Sequence, residues 1–146
     1  MKTGLFFGSF DPIHNGHLIK AVEALEKNLV DRVMFVPAKQ NPWKSEPMFD
    51  YNKRVYMCNV ATHFLRVAMV GKDDGKILVS DIEGQMNGTA YTYDVLCKFK
   101  DEHPFEVICL ICGTDVSLDI PKWKDGEKLL KEFEVITLNR GTDNES

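Results

Sequence analysis

Short apolar runs alternate with stretches of helical periodicity along the 146 residues of this chain. The apolar runs have the length and the residue types of β-strands, and polar or glycine-containing segments separate them. Five strands are therefore predicted, at Thr3–Phe7, Arg32–Val36, Ile77–Asp81, Glu106–Cys112 and Glu134–Leu138. The fourth and fifth runs are almost continuously apolar, which is typical of strands that are covered on both faces.

Four helices are predicted between or after these strands. The first runs to about Asn28, because apolar residues recur in it at helical spacing: Leu18, Ile19, Val22, Leu25 and Leu29. Asp50 and Thr92 are candidate N-caps of the second and third helices, and a fourth helix spans about Gly126–Phe133. Strands that alternate with helices indicate an α/β fold with a doubly wound, five-stranded parallel sheet. Such sheets bind ligands beyond the carboxyl ends of their strands.

The composition is that of an ordinary globular domain, with 44% hydrophobic and 27% charged residues. We expect a single domain over 1–146, in which 141–146 form a loose polar tail. A net charge of −4 argues against a nucleic-acid partner, and no apolar stretch is long enough to cross a membrane. The N-terminus has no secretory signal, so a cytoplasmic location is expected. No interface signature indicates the oligomeric state.

The four cysteines are predicted to be small apolar residues. Cys109 and Cys112 form a C-x-x-C pair, but the pair lies inside the fourth predicted strand. No second pair follows at zinc spacing, so we predict neither a metal site nor a redox pair. Buried thiols of this kind suit a reducing compartment.

The chemistry is concentrated in the ten residues G-S-F-D-P-I-H-N-G-H, from Gly8 to His17. They follow the first strand and open the first helix, where backbone N–H groups and a helix N-terminus attract an anion such as phosphate. Gly8 is expected to let the backbone approach phosphate closely, and Ser9 offers a hydroxyl group. His14 and His17 would add hydrogen bonds to a polyphosphate or to its transition state.

This stretch resembles the H-x-G-H signature of the small adenylyl- and cytidylyltransferases, a superfamily with a Rossmann-like fold. Further segments resemble the bacterial nicotinate-nucleotide adenylyltransferases, and the joint match covers Leu5 to Gly141. The resemblance implies adenylyl transfer from ATP to nicotinate mononucleotide, with Mg²⁺ on the polyphosphate and no covalent enzyme intermediate. It implies three catalytic residues, His14, His17 and Lys44, and an ATP site formed by Gly8, Ser9, Phe10, His14, His17, Gly113, Asp115 and Arg140.

The resemblance also implies a separate site for the pyridine nucleotide. Asn41 and Lys44 belong to a proline-rich loop after the second strand, and Tyr91 and Thr92 form a turn whose backbone amides would face the nicotinate carboxylate. Trp123 would stack on the pyridine ring. Arg54 matches a recurrent arginine of the family, although an exposed helix charge explains it almost as well.

Three features depart from the family. Phe7 stands where a small residue is more common, Trp43 replaces a common histidine, and no Ser/Thr-x-x-Arg motif follows Arg140. Lys39, Lys44 and Arg140 are candidates to replace that phosphate clamp, and a minimal enzyme without the clamp and a truncated chain are the alternatives. Three alternatives stay open: nicotinamide mononucleotide as the acceptor, a sister transferase for pantetheine phosphate or glycerol phosphate, and a nucleotide-binding module without turnover.

Overall fold

The fold is known from a computed structural model that describes residues 1–39, 47–70 and 75–138. Within these ranges five strands occur: β1 (Lys2–Gly8), β2 (Arg32–Pro37), β3 (Ile77–Val79), β4 (Val107–Gly113) and β5 (Glu134–Leu138). The helices of the same ranges are α1 (Asn15–Glu26), α2 (Tyr51–Val70), α3 (Thr92–Glu102), α4 (Thr114–Asp119) and α5 (Gly126–Glu132). Short 3₁₀ turns occupy Ile82–Gln85 and Ile120–Lys122.

The strands form one parallel sheet in the order β3-β2-β1-β4-β5, which confirms the predicted α/β class. The chain begins at the central strand, builds outward to β3, and then crosses to the other side of β1. The order therefore reverses between β1 and β4, and this reversal creates a crevice at the carboxyl edge of the sheet.

Both faces of the sheet are covered, because successive side chains of each strand point in opposite directions. Phe6, Phe35 and Ile111 pack with α1 and α2 on one face. Leu5 and Leu110 pack with α3 and α5 on the other. These two apolar clusters fix the ends of the strands, and thus the place of the crevice.

The helix starts agree closely with the sequence prediction. Asp50 caps α2, since its Oδ1 accepts a hydrogen bond from the Lys53 N–H at 2.8 Å. The cap of α3 is predicted one residue too late, because the Val95 N–H donates to the Tyr91 carbonyl and makes Tyr91 the N-cap. The six-residue helix α4 is not predicted at all, because it has no periodic apolar stripe and buries none of its residues.

The third strand is shorter than predicted, ending at Val79 instead of Asp81. The Ser80 side chain accepts a hydrogen bond from the Ile82 N–H, and the Gly84 N–H donates to the Asp81 carbonyl. These local bonds turn the chain away from the sheet. The sequence did not predict these bonds, because a serine or an aspartate near the end of a strand does not by itself show where the strand ends.

The prediction of buried apolar cysteines is confirmed for three of the four. Cys58, Cys109 and Cys112 are buried free thiols, whereas Cys97 is only partly buried. Burial raises the pKa of the Cys109 and Cys112 thiols to about 11. Thiols with such a pKa are poor nucleophiles at neutral pH. No helix within the described ranges is long and apolar enough to cross a membrane.

Candidate active site

The Gly8–His17 stretch lies at the crevice between β1 and β4. Phe6 of β1 pairs with Ile111 of β4, and each strand continues for two residues, to Gly8 and to Gly113. The turn after β1 and the start of α4 therefore lie at the same edge of the sheet. The structure thus places the two strand ends that carry the predicted phosphate residues side by side.

His14 and His17 form a stacked pair at the first turn of α1. Their ring centroids are 3.7 Å apart and the ring planes differ by 21°. The Gly16 N–H donates to Nδ1 of His14, and the His14 N–H donates to Nδ1 of His17, both at 3.1 Å. Two backbone amides at the helix start thereby fix both imidazole rings.

These hydrogen bonds assign the tautomer of each neutral ring. A nitrogen that accepts a hydrogen bond carries no proton, so the hydrogen of each neutral imidazole is on Nε2. Nε2 is then the donor that each ring presents to an oxygen. A pair of such donors at a helix N-terminus suits an anion on which negative charge develops.

The turn before the histidines is built around a buried phenylalanine. Phe10 has a positive φ of 47° and is 2% exposed. Its ring occupies the place of a side chain on Gly8, since a Cβ there would lie 2.9 Å from Phe10 Cζ. The absence of a side chain on Gly8 thus makes room for the Phe10 ring. The sequence analysis explained Gly8 only by a close approach of phosphate and did not predict this packing. Only the main chain of Phe10 can reach a ligand.

Arg54 stabilises this turn through hydrogen bonds from its buried side chain. The exposed alternative for Arg54 is wrong, because its side chain is 3% exposed. Its guanidinium donates to the carbonyl oxygens of Ser9 and Ala38 at 2.8 Å each, and to that of Phe49 at 3.0 Å. It therefore connects the turn after β1, the end of β2 and the segment before α2.

Asp11 makes a second connection that the sequence prediction missed. Its carboxylate accepts hydrogen bonds from the N–H groups of Met48 and Phe49, at 2.6 and 2.8 Å. The turn after β1 is therefore joined to the chain that enters α2. An aspartate before a proline usually indicates a local turn, so its spacing gave no signal of a partner 37 residues away.

Glu83 is a buried carboxyl group beside this brace. It is 3% exposed, and its Oε1 accepts a hydrogen bond from the Lys39 N–H at 2.9 Å. Burial raises the pKa of Glu83 to about 7, although the Lys39 hydrogen bond and the charges of Lys39 and Arg54 act in the opposite direction. Lys39 itself donates through Nζ to the Met86 carbonyl.

Three residues of the second predicted cluster, Tyr91, Thr92 and Trp123, lie around the start of α3. Because α3 leaves the carboxyl edge of β3, Tyr91 and Thr92 lie at the same edge of the sheet as the histidines. Lys124 Nζ lies 4.5 Å from the Tyr91 ring centroid and 3.7 Å from Asp94 Oδ2. The Trp123 segment is thereby brought to the helix start, and the half-buried Trp123 also packs on the core below.

Of the remaining predicted residues, the structure describes Gly113 and Asp115. Asp115 is exposed in the first turn of α4, and a Cβ on Gly113 would meet nothing within 4 Å. The space above Gly113 is therefore open to a ligand. Asn41, Lys44 and Arg140 lie outside the described residues.

No three His, Cys, Asp or Glu side chains within 1–39, 47–70 and 75–138 come together in a way that would hold a metal ion. These residues offer donors to an anion instead of a cage for a cation.

Comparison with known proteins identifies the family. Residues 5–144 match the model of the cytidylyltransferase-like family. The chain belongs to this family. The resemblance predicted from the H-x-G-H stretch is confirmed.

Curated relatives of the chain carry one recurrent name, probable nicotinate-nucleotide adenylyltransferase. The protein of Clostridium tetani is 33% identical over 140 residues, which are 95% of this chain and 66% of the relative. That of Carboxydothermus hydrogenoformans is 36% identical, over 95% of this chain and 65% of the relative. That of Thermus thermophilus is 36% identical, over 96% of this chain and 70% of the relative. The chain thus spans about two-thirds of the length of these relatives, and slightly less for the first two.

Solved structures share the fold. A structure from Vibrio parahaemolyticus superposes with a TM-score of 0.75 at 21% identity, covering 99% of this chain and 82% of the other. The Plasmodium falciparum nicotinic acid mononucleotide adenylyltransferase, complexed with NaAD, gives a TM-score of 0.70 at 23% identity. That alignment covers 95% of this chain and 75% of the other.

Proposed function

We propose that this protein transfers the adenylyl group of ATP to nicotinate mononucleotide, giving nicotinate adenine dinucleotide and pyrophosphate. The observation that carries the proposal is the stacked His14–His17 pair at the start of α1, with both Nδ1 atoms occupied by backbone amides. The curated relatives support the choice of reaction, because the name they carry describes this activity.

The substrate phosphate attacks the α-phosphorus of ATP, and pyrophosphate leaves. No protein nucleophile is needed, so the chain contributes positioning and charge stabilisation. His14 and His17 donate from Nε2 to phosphate oxygens. His17 contributes mainly in the transition state. In this proposal Lys44 and Arg140 also contact phosphate, while Ser9, Gly113 and Asp115 line the nucleotide side.

The nicotinate ring would bind between the start of α3 and Trp123. The first N–H groups of a helix have no partner inside the helix, and they attract a carboxylate. Tyr91 has no side-chain hydrogen bond that caps this helix. The amides near Tyr91 and Thr92 favour the carboxylate of nicotinate over the carboxamide of nicotinamide, and Asn41 and Lys44 belong to the same proposed subsite.

Nucleotidyltransferases generally use a divalent metal ion with the nucleotide, and we propose that MgATP is the substrate. The ion shields the charge of the polyphosphate. We also propose that 1–146 behave as one domain and that the reaction takes place in the cytoplasm. Three buried free thiols support a reducing compartment.

Pyrophosphate release tests the proposal directly. The full chain is incubated with ATP and Mg²⁺ together with nicotinate mononucleotide, nicotinamide mononucleotide, pantetheine phosphate or no acceptor. Release that depends on the nicotinate nucleotide is expected. Faster turnover with pantetheine phosphate would assign the chain to a sister transferase, and binding of the nicotinate nucleotide without release would indicate a non-catalytic module.

A matched pair of histidine variants links that activity to the site. His17→Ala removes one ring of the stacked pair, whereas His63→Ala removes an exposed histidine of α2. Only the first variant should lose pyrophosphate release. Equal losses in both variants would mean that the measured activity does not come from the H-x-G-H site.

A further inference from the structure

We infer that Phe10 is a positioning residue for His17, and that Gly8 lacks a side chain in order to admit the Phe10 ring. This inference rests on the proposed function, because it explains how one of the proposed phosphate donors is held. The buried Phe10 side chain does not touch substrate in this arrangement. It acts through the orientation of the imidazole.

The contact between the two rings is close and directional. The Phe10 and His17 ring centroids are 4.9 Å apart, and the planes meet at 88°. Perpendicular contact of this kind is a favoured aromatic geometry. Phe6 approaches the same imidazole at 6.3 Å and 82°, so Phe10 is the nearer of the two phenylalanines. His14 stacks on His17 at 3.7 Å.

The backbone of Phe10 supports the same conclusion. A φ of 47° is left-handed, which a residue with a side chain adopts at a cost, and glycine would adopt it freely. A phenylalanine occupies this position even so. Its ring must therefore contribute something that glycine cannot, and the ring is packed against Phe6, Phe35 and His17.

Gly8 completes the arrangement. The nearest atoms to a Cβ built on Gly8 all belong to the Phe10 ring, at 2.9, 3.0 and 3.3 Å. Alanine at this position would displace the ring and, through it, the imidazole. Gly8 and Phe10 should therefore act as one unit.

Phe35 provides a matched control. It is 0% exposed and lies 5.3 Å from both Phe6 and Phe10, in the same aromatic cluster. No ring contact with His17 is among those that the structure describes for Phe35. Phe35→Leu therefore removes a comparable aromatic ring from the core but keeps the contact between Phe10 and His17.

The first test compares kinetics of the full chain. Phe10→Leu should lower kcat by about 10- to 100-fold, the scale of an ångström-sized misplacement, with KM for both substrates changed by less than about twofold. Phe35→Leu should leave kcat within about twofold. Phe10→Met, which has a flexible side chain without a ring, should resemble Phe10→Leu if the ring contact matters. Equal losses of kcat in the Phe10 and Phe35 variants would overturn the inference.

A double-mutant cycle tests the role of Gly8. Gly8→Ala should lower kcat about as much as Phe10→Leu, and adding Gly8→Ala to Phe10→Leu should cause less than about twofold further loss. If the two losses multiply instead, Gly8 acts independently of the ring, as a close approach to phosphate would require. That result would refute the proposed unit.

A readout that does not depend on turnover separates this inference from the proposed function. ¹⁵N NMR of the His17 imidazole reports which nitrogen carries the hydrogen and whether Nδ1 accepts a hydrogen bond. The Phe10 variants should change the His17 signals, and Phe35→Leu should leave them in place. Unchanged His17 signals in folded Phe10→Leu would refute the positioning role, whether or not the protein releases pyrophosphate.

Discussion

Burial of the Glu83 carboxyl group leads to a specific prediction about stability. This group lies beside Arg54, which holds the turn after β1. Glu83→Gln replaces it with a neutral side chain of the same shape. The glutamine oxygen can still accept the hydrogen bond of the Lys39 N–H, which Glu83 accepts at 2.9 Å. The substitution therefore changes the charge while the neighbouring contact is kept.

The sign of the effect comes from the pKa. Burial raises the pKa of Glu83 from 4.5 to about 7, so the folded chain holds this proton more tightly than the unfolded chain does. The stability associated with the protonated form is complete below about pH 4.5 and is lost as the pH rises towards 7. One pKa unit corresponds to about 1.4 kcal/mol, so the loss approaches about 3 kcal/mol.

Urea unfolding of both proteins between about pH 4.5 and pH 8 measures this difference. The free energy of unfolding of Glu83→Gln, relative to the wild type, should rise by about 3 kcal/mol across that range. Glu26→Gln, at an exposed position of α1, serves as the control and should not reproduce the rise. A relative stability of Glu83→Gln that stays constant over the whole range would refute the reasoning.

Three further predictions concern the site and its brace. His17→Ala should lower kcat by about 100-fold or more while calorimetry finds nearly unchanged binding of nicotinate mononucleotide. Trp123→Ala should weaken that binding by about 1–3 kcal/mol, and an unchanged dissociation constant would exclude stacking. Arg54→Met should lower the free energy of unfolding by about 3 kcal/mol or more, because three carbonyl oxygens lose their donor. Lys53→Met, one residue earlier and exposed, should change it by less than about 0.5 kcal/mol.

The sequence predicted the architecture well because strand burial leaves a strong pattern. The β4 segment is apolar at nearly every position, and the structure covers it on both faces. The helix start after β1 was predictable for a similar reason, since its histidines and glycines occur together in one turn. The short helix α4 left no pattern of either kind, because it buries no side chain.

The site was predictable where neighbours in sequence are also neighbours in space. His14 and His17 are three residues apart at the start of one helix, so their spacing already indicates that they meet. The contacts of Asp11 with Met48 and Phe49, and of Arg54 with Ser9, join residues 37 to 45 positions apart. No local periodicity encodes such pairs. From the sequence alone, Arg54 could be interpreted either as an exposed helix charge or as a functional residue of the family. In the structure it is a buried residue that connects three segments through hydrogen bonds.

Gly8 can be explained in two physical ways, and the sequence alone does not distinguish them. A glycine before a helix start predicts close approach of a phosphate, and it equally permits close approach of another part of the chain. In this structure the atom nearest to the absent side chain is Phe10 Cζ. Adding a methyl group to Gly8 has a different consequence under each explanation. If the ring is the reason for the glycine, replacing Phe10 by leucine makes Gly8→Ala nearly silent, whereas a phosphate contact would remain sensitive in both backgrounds.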